Sequence, residues 1–167
     1  MKLLKFILIV VALARFNSVC GQQKLTTFIL VRHAEKISDG SKNPDLTDEG
    51  KKRSQNLVSI LKQTSIQAIY STDFIRTRET VSPLAKSKSL EIKGYEAFKT
   101  EVINKILKDN EGGTVLICGH SNNIPWIANY LVGAEKFKNF EDNEYSNILI
   151  VTVAERGKVA SVTWLNF

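Results

Sequence analysis

The stretch Phe28-Ile-Leu-Val-Arg-His-Ala-Glu35 decides how this chain is read. Four consecutive apolar residues, Phe28 to Val31, carry no polar face, which is the pattern of a strand covered on both sides in an α/β sheet. The run stops at a guanidinium, an imidazole and a carboxylate, and sheets of this kind hold their chemistry beyond the carboxyl ends of the strands. A second run, Thr114-Val-Leu-Ile-Cys118, stops the same way at Gly119 and His120, the other of the chain's 2 histidines. Ala68-Ile-Tyr-Ser-Thr72 is a third strand, and it leads into Asp73-Phe-Ile-Arg-Thr-Arg78 on the first turns of a helix. A histidine at one strand end is ordinary. Two histidines and an arginine pair at three strand ends form a pattern.

Outward from these strands, helices alternate with strands. Ile37 to Pro44 is a loop rich in Ser, Asp, Gly, Lys, Asn and Pro, expected to cross the mouth of a site. Thr47 is an N-cap for a helix to about Gln63, with Asp48 and Glu49 favourably placed in its first turn and Leu57, Ile60 and Leu61 on its buried side. The helix holding Arg76 runs to about Lys88, and Pro83 predicts a kink in it. Leu90-Glu-Ile-Lys93 is a short strand and Gly94-Tyr-Glu96 a turn. Ala97 to Asp109 is a helix with Phe98, Val102, Ile106 and Leu107 on its apolar side, ended by Glu111-Gly-Gly113. Ile124 to Leu131 is a helix with Pro125 in its first turn. Residues 134–146 are a charged connection, and Asn147–Val153 and Val159–Trp164 form a hairpin around Arg156-Gly157. Alternation of this kind predicts one three-layer α/β/α sandwich with a mostly parallel central sheet.

The 167 residues, 43% hydrophobic and 24% charged, suffice for one domain with a substantial core. Met1 to Gly21 has the parts of a secretory signal: Lys2 and Lys5, an apolar stretch from Phe6 to Ala14, then small residues before Gln22. The expected division is therefore a signal over 1–21 and a single domain over 22–167, exported to the periplasm or outside the cell. Lipid anchoring through Cys20 is the lesser reading, because Asn17 and Val19 fit a lipobox poorly. Lys2, Lys5 and Arg15 account for three of the net +6 charges, and what remains is too scattered for nucleic acid. No transmembrane span is expected in the mature form. Loss of Cys20 leaves Cys118 as a single thiol, expected to be a small buried residue.

At these residues the chain resembles the histidine phosphatase superfamily, the phosphoglycerate-mutase-like proteins. Its Arg-His-Gly signature is Arg32-His33-Ala34, and its Leu-Thr-x-x-Gly element is Leu46-Thr-Asp-Glu-Gly50. Its Ser-x-x-x-x-Arg-x-x-x-Thr element is Ser71 through Arg76 to Thr80, and its second histidine is His120 in Gly119-His120-Ser121-Asn122. The resemblance implies a phosphoglycerate mutase-like fold and a phosphatase acting through a phosphohistidine on His33. Arg32, Arg76 and His120 would bind the phosphoryl group, and no cofactor or metal would take part. Residues two apart on a helix face different ways, and the resemblance chooses Arg76 over Arg78. It also implies a carboxylic acid that protonates the leaving oxygen. Glu96 is the first choice for this acid and Glu35 the second.

A phosphoryl group spreads charge over three oxygens, so fixed arginine forks and a neutral imidazole nucleophile fit its transfer. A metal site built from His33, Glu35, Cys118 and His120 is the rival chemistry, and two arginines beside it would repel a cation. A phosphate-binding module without turnover is the non-enzymatic rival, opposed by the presence of His33. A phosphomutase is a further alternative, opposed by a short chain with little room for insertions over the site. The expected partner is a small phosphorylated substrate or a phosphohistidine protein.

Overall fold

The computed structural model describes residues 24–157 and 159–167. The expected signal over 1–21, with Cys20, lies outside the described residues. Six strands form one sheet: β1 (Thr26–Arg32), β2 (Ala68–Ser71), β3 (Ile92–Gly94), β4 (Thr114–Gly119), β5 (Asn147–Glu155) and β6 (Val159–Asn166). The spatial order is β3-β2-β4-β1-β5-β6. β3, β2, β4 and β1 run parallel, and β5 and β6 are antiparallel additions. Among the described residues four helices are found: α1 (Asp48–Leu61), α2 (Ile75–Lys88), α3 (Thr100–Asp109) and α4 (Asn123–Val132).

The period of two in the strands divides the core into two halves. Phe28 and Leu30 of β1, with Val115 and Ile117 of β4, face a layer containing Ile103, Ile106, Ile124 and Leu131 of α3 and α4. Ile29 and Val31, with Leu116 and Cys118, face the layer of α1 and α2, which holds Leu57, Leu61, Val81 and Leu84. The central strands are thus apolar on both faces, as the unbroken run Phe28–Val31 requires. Each fully buried Leu or Ile contributes about 1.5–3 kcal/mol. Cys118 is fully buried, and burial raises its thiol pKa.

Two helix expectations need correction. The buried stripe of α1 is Gly50, Ser54, Leu57 and Leu61, so Ile60 turns outward and is 43% exposed. Ser54 takes a core position because its hydroxyl donates to the carbonyls of Glu79 and Thr80, tying α1 to α2. The other correction is at α3, which begins at Thr100 rather than Ala97. Phe98 has φ +60°, a left-handed conformation that cannot continue a right-handed helix, and its ring is exposed beside Trp126. Ile103 fills the buried stripe in its place. Pro83 lies within α2, which continues past it to Lys88.

Candidate active site

The carboxyl ends of β1, β2 and β4 lie side by side, and each delivers part of one site. β1 ends at Arg32, and the next residue, His33, donates its backbone N–H to Gly119 O at the end of β4 (2.8 Å). His33 is 4% exposed, with its ring centroid 5.4 Å from that of His120. Its Nδ1 lies 2.8 Å from Ala34 O. A carbonyl can only accept, so Nδ1 carries the proton and Nε2 holds the free lone pair. Burial, followed by the charges of Arg32, His120 and Arg76, lowers the His33 pKa to about 3. The ring is therefore neutral at ordinary pH.

Three contacts fix the loop that follows His33. Ala34 N–H donates to Thr80 Oγ1 (2.8 Å), which itself donates to Arg76 O (2.7 Å). The backbone of Glu35 accepts from Thr47 N (2.9 Å), while Thr47 Oγ1 caps α1 by accepting from Gly50 N. A Cβ on Gly50 would come within 2.2 Å of Glu35 O, so only glycine lets α1 pack against this backbone. The Leu46–Gly50 element thus serves to brace the histidine loop. The loop between β1 and α1 folds back over α2, where Asn43 Oδ1 accepts from Ile75 N (2.9 Å).

Arg32 is 4% exposed and held in a clamp that the sequence did not reveal. Its Nη1 donates to Glu141 O (2.6 Å) and Glu144 O (3.1 Å), and its guanidinium lies 4.2 Å from the centre of the Tyr145 ring. The same ring is 5.9 Å from His33. The charged connection 134–146 is therefore a wall of the site, and a tyrosine in an irregular segment gives no periodic signal. Arg32 Nε, and Nε and Nη1 of Arg76, are buried without a hydrogen-bond partner among the described residues. Burial lowers the pKa of both arginines, and Arg32 adds to the effect at Arg76.

His120 faces Arg76 and Thr72. Arg76 Nη2 lies 3.5 Å from His120 Nδ1, and His120 Nε2 lies 3.0 Å from Thr72 Oγ1. A guanidinium can only donate, so Nδ1 is the acceptor and Nε2–H points to the threonine. Burial, then Arg76 and Arg32, lowers the pKa of His120 to about 4. Phe74 packs against both, 4.4 Å from the Arg76 guanidinium and 4.9 Å from the His120 ring. Behind them, Asn123 Oδ1 accepts from His120 N (2.6 Å) and its amide donates to Tyr95 Oη (3.0 Å). Gly119 makes room for this pair, since a Cβ there would come 2.3 Å from Asn123 Oδ1.

The structure thus brings Arg32, His33, Arg76 and His120 together. Arg78 turns away into a surface ion pair with Asp73 (3.0 Å). Glu35 is bound by Arg53, whose Nε and Nη2 reach its carboxylate at 3.0 and 2.7 Å, so this acid is engaged away from His33. Glu96 lies on the β3–α3 connection, next to Tyr95 in sequence, exposed and ion-paired with Lys99. Among the described residues no group of three or more His, Cys, Asp or Glu is placed to hold a metal, and no helix is long and apolar enough to cross a membrane.

Two neutral histidines, the buried Arg32 and the half-buried Arg76, gathered at the carboxyl edge of a parallel sheet, suit a tetrahedral oxyanion. The profile of the histidine phosphatase superfamily (branch 1) matches residues 28–100, which include Arg32, His33, Arg76 and Glu96. Over that stretch the chain is similar to the histidine phosphatase superfamily. Phosphoserine phosphatase 1 of Hydrogenobacter thermophilus is 35% identical over 74 residues, 41% of this chain and 35% of that relative. The match thus spans about a third of the relative's length. The fold is shared with the protein histidine phosphatase SixA complexed with tungstate, at TM-score 0.70 and 17% identity over 84% of this chain and 96% of that one. It is shared also with phosphoglycerate mutase from Bacillus anthracis, at TM-score 0.66 and 17% identity over 86% and 93%. These alignments extend well beyond the stretch that the profile matches.

Proposed function

We propose that the protein is a phosphatase that hydrolyses a phosphomonoester, or a phosphohistidine, through a covalent phosphohistidine on His33. The observation that carries this reading is the unprotonated Nε2 of His33 beside buried guanidinium donors that have no partner of their own. Unpaired buried donors are costly, and three of them converging near one nucleophile suit the oxygens of a phosphoryl group. His33 Nε2 attacks phosphorus in line, forming a P–N bond as the P–O bond to the leaving group breaks. Glu96, parted from Lys99 and protonated from solvent when substrate binds, gives that proton to the leaving oxygen. Water then attacks phosphorus and loses a proton to Glu96, the P–N bond breaks, and His33 is neutral again. Arg32 and Arg76 hold the equatorial oxygens throughout, and His120 donates to one of them from Nδ1 once protonated.

Brief mixing with a radiolabelled phosphomonoester is expected to leave acid-labile, alkali-stable label on the protein. His33→Ala should abolish both label and turnover. Acid-stable label, or turnover that survives the substitution, would overturn the assignment. Export is proposed on the signal pattern of Met1–Gly21. Mass spectrometry of protein from its native host tests it, and an intact Met1 or a lipidated Cys20 would refute the simple cleavage.

A further inference from the structure

A cleft of about 610 Å³ opens where the rim of the site meets the outer side of α4. Phe98, Trp126 and Phe137 line it, with Asn122 at one end and Lys136 and Lys138 on its lip. It adjoins the proposed phosphoryl site through three connections. Asn122 is the second residue after His120, and the segment that supplies Phe137 continues to Phe140, whose N–H donates to Ser121 O (2.9 Å). Trp126 stands one helical turn, ~6 Å of rise, below Asn122. The third connection is Glu96, two residues before Phe98.

The aromatic side chains are arranged as a surface for stacking. Phe98 meets Trp126 edge to face at 5.5 Å, and Trp126 stacks on Tyr130 at 5.7 Å with an interplanar angle of 11°. Arg156 covers the far face of the series, 4.2 Å from the Tyr130 ring centre. Phe98 is 51% exposed and sits at positive φ, a conformation that a bulky side chain adopts at a cost. That conformation keeps its ring at the mouth of the cleft. Its volume suits a small organic group, and its lining carries charge of both signs, Glu135 beside Lys136 and Lys138.

We propose that this cleft is a subsite for the leaving group, taking a planar ring joined to the phosphorylated oxygen by a short spacer, the class to which nucleoside monophosphates belong. The proposal rests on the phosphatase reading and adds a substrate class to it. Adenosine 5′-monophosphate and glycerol 3-phosphate are the probes. Hydrolysis of both by the wild type and by Phe98→Gly, a change that also suits the positive φ, is compared as the ratio of their kcat/KM values. One aromatic contact is worth about twofold to twelvefold, so the ratio should fall by that amount in the variant. An unchanged ratio overturns the subsite. Binding is followed separately in Trp164→Phe protein, which leaves Trp126 as its tryptophan. Adenosine monophosphate should change that fluorescence at concentrations where glycerol phosphate does not, and the same response to both, or to neither, overturns the subsite. If neither ester is hydrolysed, the phosphatase reading fails for this class, while the selective fluorescence response still supports the cleft.

Discussion

His120 Nε2–H donates to Thr72 Oγ1 at 3.0 Å, and this bond commits the proton of the neutral ring to the protein rather than to a ligand. Nδ1, the nitrogen beside Arg76, can donate to an oxyanion only after taking up a second proton. Burial, then Arg76 and Arg32, disfavours that proton. A bound dianion reverses the balance. Sulfate, which does not titrate near neutrality, should therefore bind with net proton uptake between about pH 5 and 7. Calorimetry in two buffers of different ionisation enthalpy measures this. His120→Asn should abolish the uptake, and buffer-independent heats in the unaltered protein would contradict the assignment.

The general acid is tested by its leaving group. A general acid typically contributes ~10²- to 10⁴-fold where the leaving oxygen is basic. Glu96→Gln should slow phosphorylation of His33 by an alkyl phosphate on that scale while sparing the same step with nitrophenyl phosphate. Single-turnover rates with both substrates decide it. Equal slowing of both would assign Glu96 to the shape of the rim, and no slowing would leave it as the exposed partner of Lys99.

Tyr145 positions Arg32 through the face of its ring. Removing a cation–π contact of ~0.5–2 kcal/mol predicts a rise in KM of about threefold to thirtyfold for Tyr145→Ala. Tyr145→Phe keeps the ring and should recover most of the loss. Steady-state kinetics on both variants checks this, and equal defects would point to the hydroxyl instead.

Thr80 links α2 to the histidine loop. Thr80→Val preserves the shape but leaves Ala34 N–H buried without its acceptor, so a loss of about 1–3 kcal/mol in stability is expected from urea unfolding. Turnover should fall with it, because the same bond orients the backbone that carries His33.

Acid should destabilise the folded chain before its carboxylates matter. The folded pKa values of His33 and His120, about 3 and about 4, lie below the ordinary value of 6.5, so the unfolded chain binds more protons in between. Stability is then fully present above pH 6.5 and is lost as pH falls toward 4 and then 3. The urea midpoint measured across this range should show the fall, and it should be shallower in a His33→Ala/His120→Asn double variant. An unchanged profile would mean that the rings are not buried as neutral groups.

The sequence by itself determined the central strands, because a strand covered on both faces, such as Phe28–Val31, leaves an unbroken apolar run. It determined the order of helices and strands and the cap at Thr47, and it pointed to Arg32, His33, Arg76 and His120 at or just beyond strand ends, four side chains that folding gathers in one place. The choice of Arg76 over Arg78 followed from helical periodicity joined to family resemblance. Tertiary structure alone decided the rest. The tautomers of the two histidines depend on Ala34 O, Thr72 and Arg76, partners that only folding places around both rings. The clamp on Arg32 joins residues more than 100 positions apart, from a segment with no periodicity to read. Ile60 looked like core by its hydrophobicity, yet the stripe through Ser54 and Leu57 turned it outward, since a helix buries the side that its neighbour covers. Phe98 looked helical by its apolar character, and its left-handed backbone gave that ring to the surface instead, where packing against Trp126 rather than local propensity sets its place.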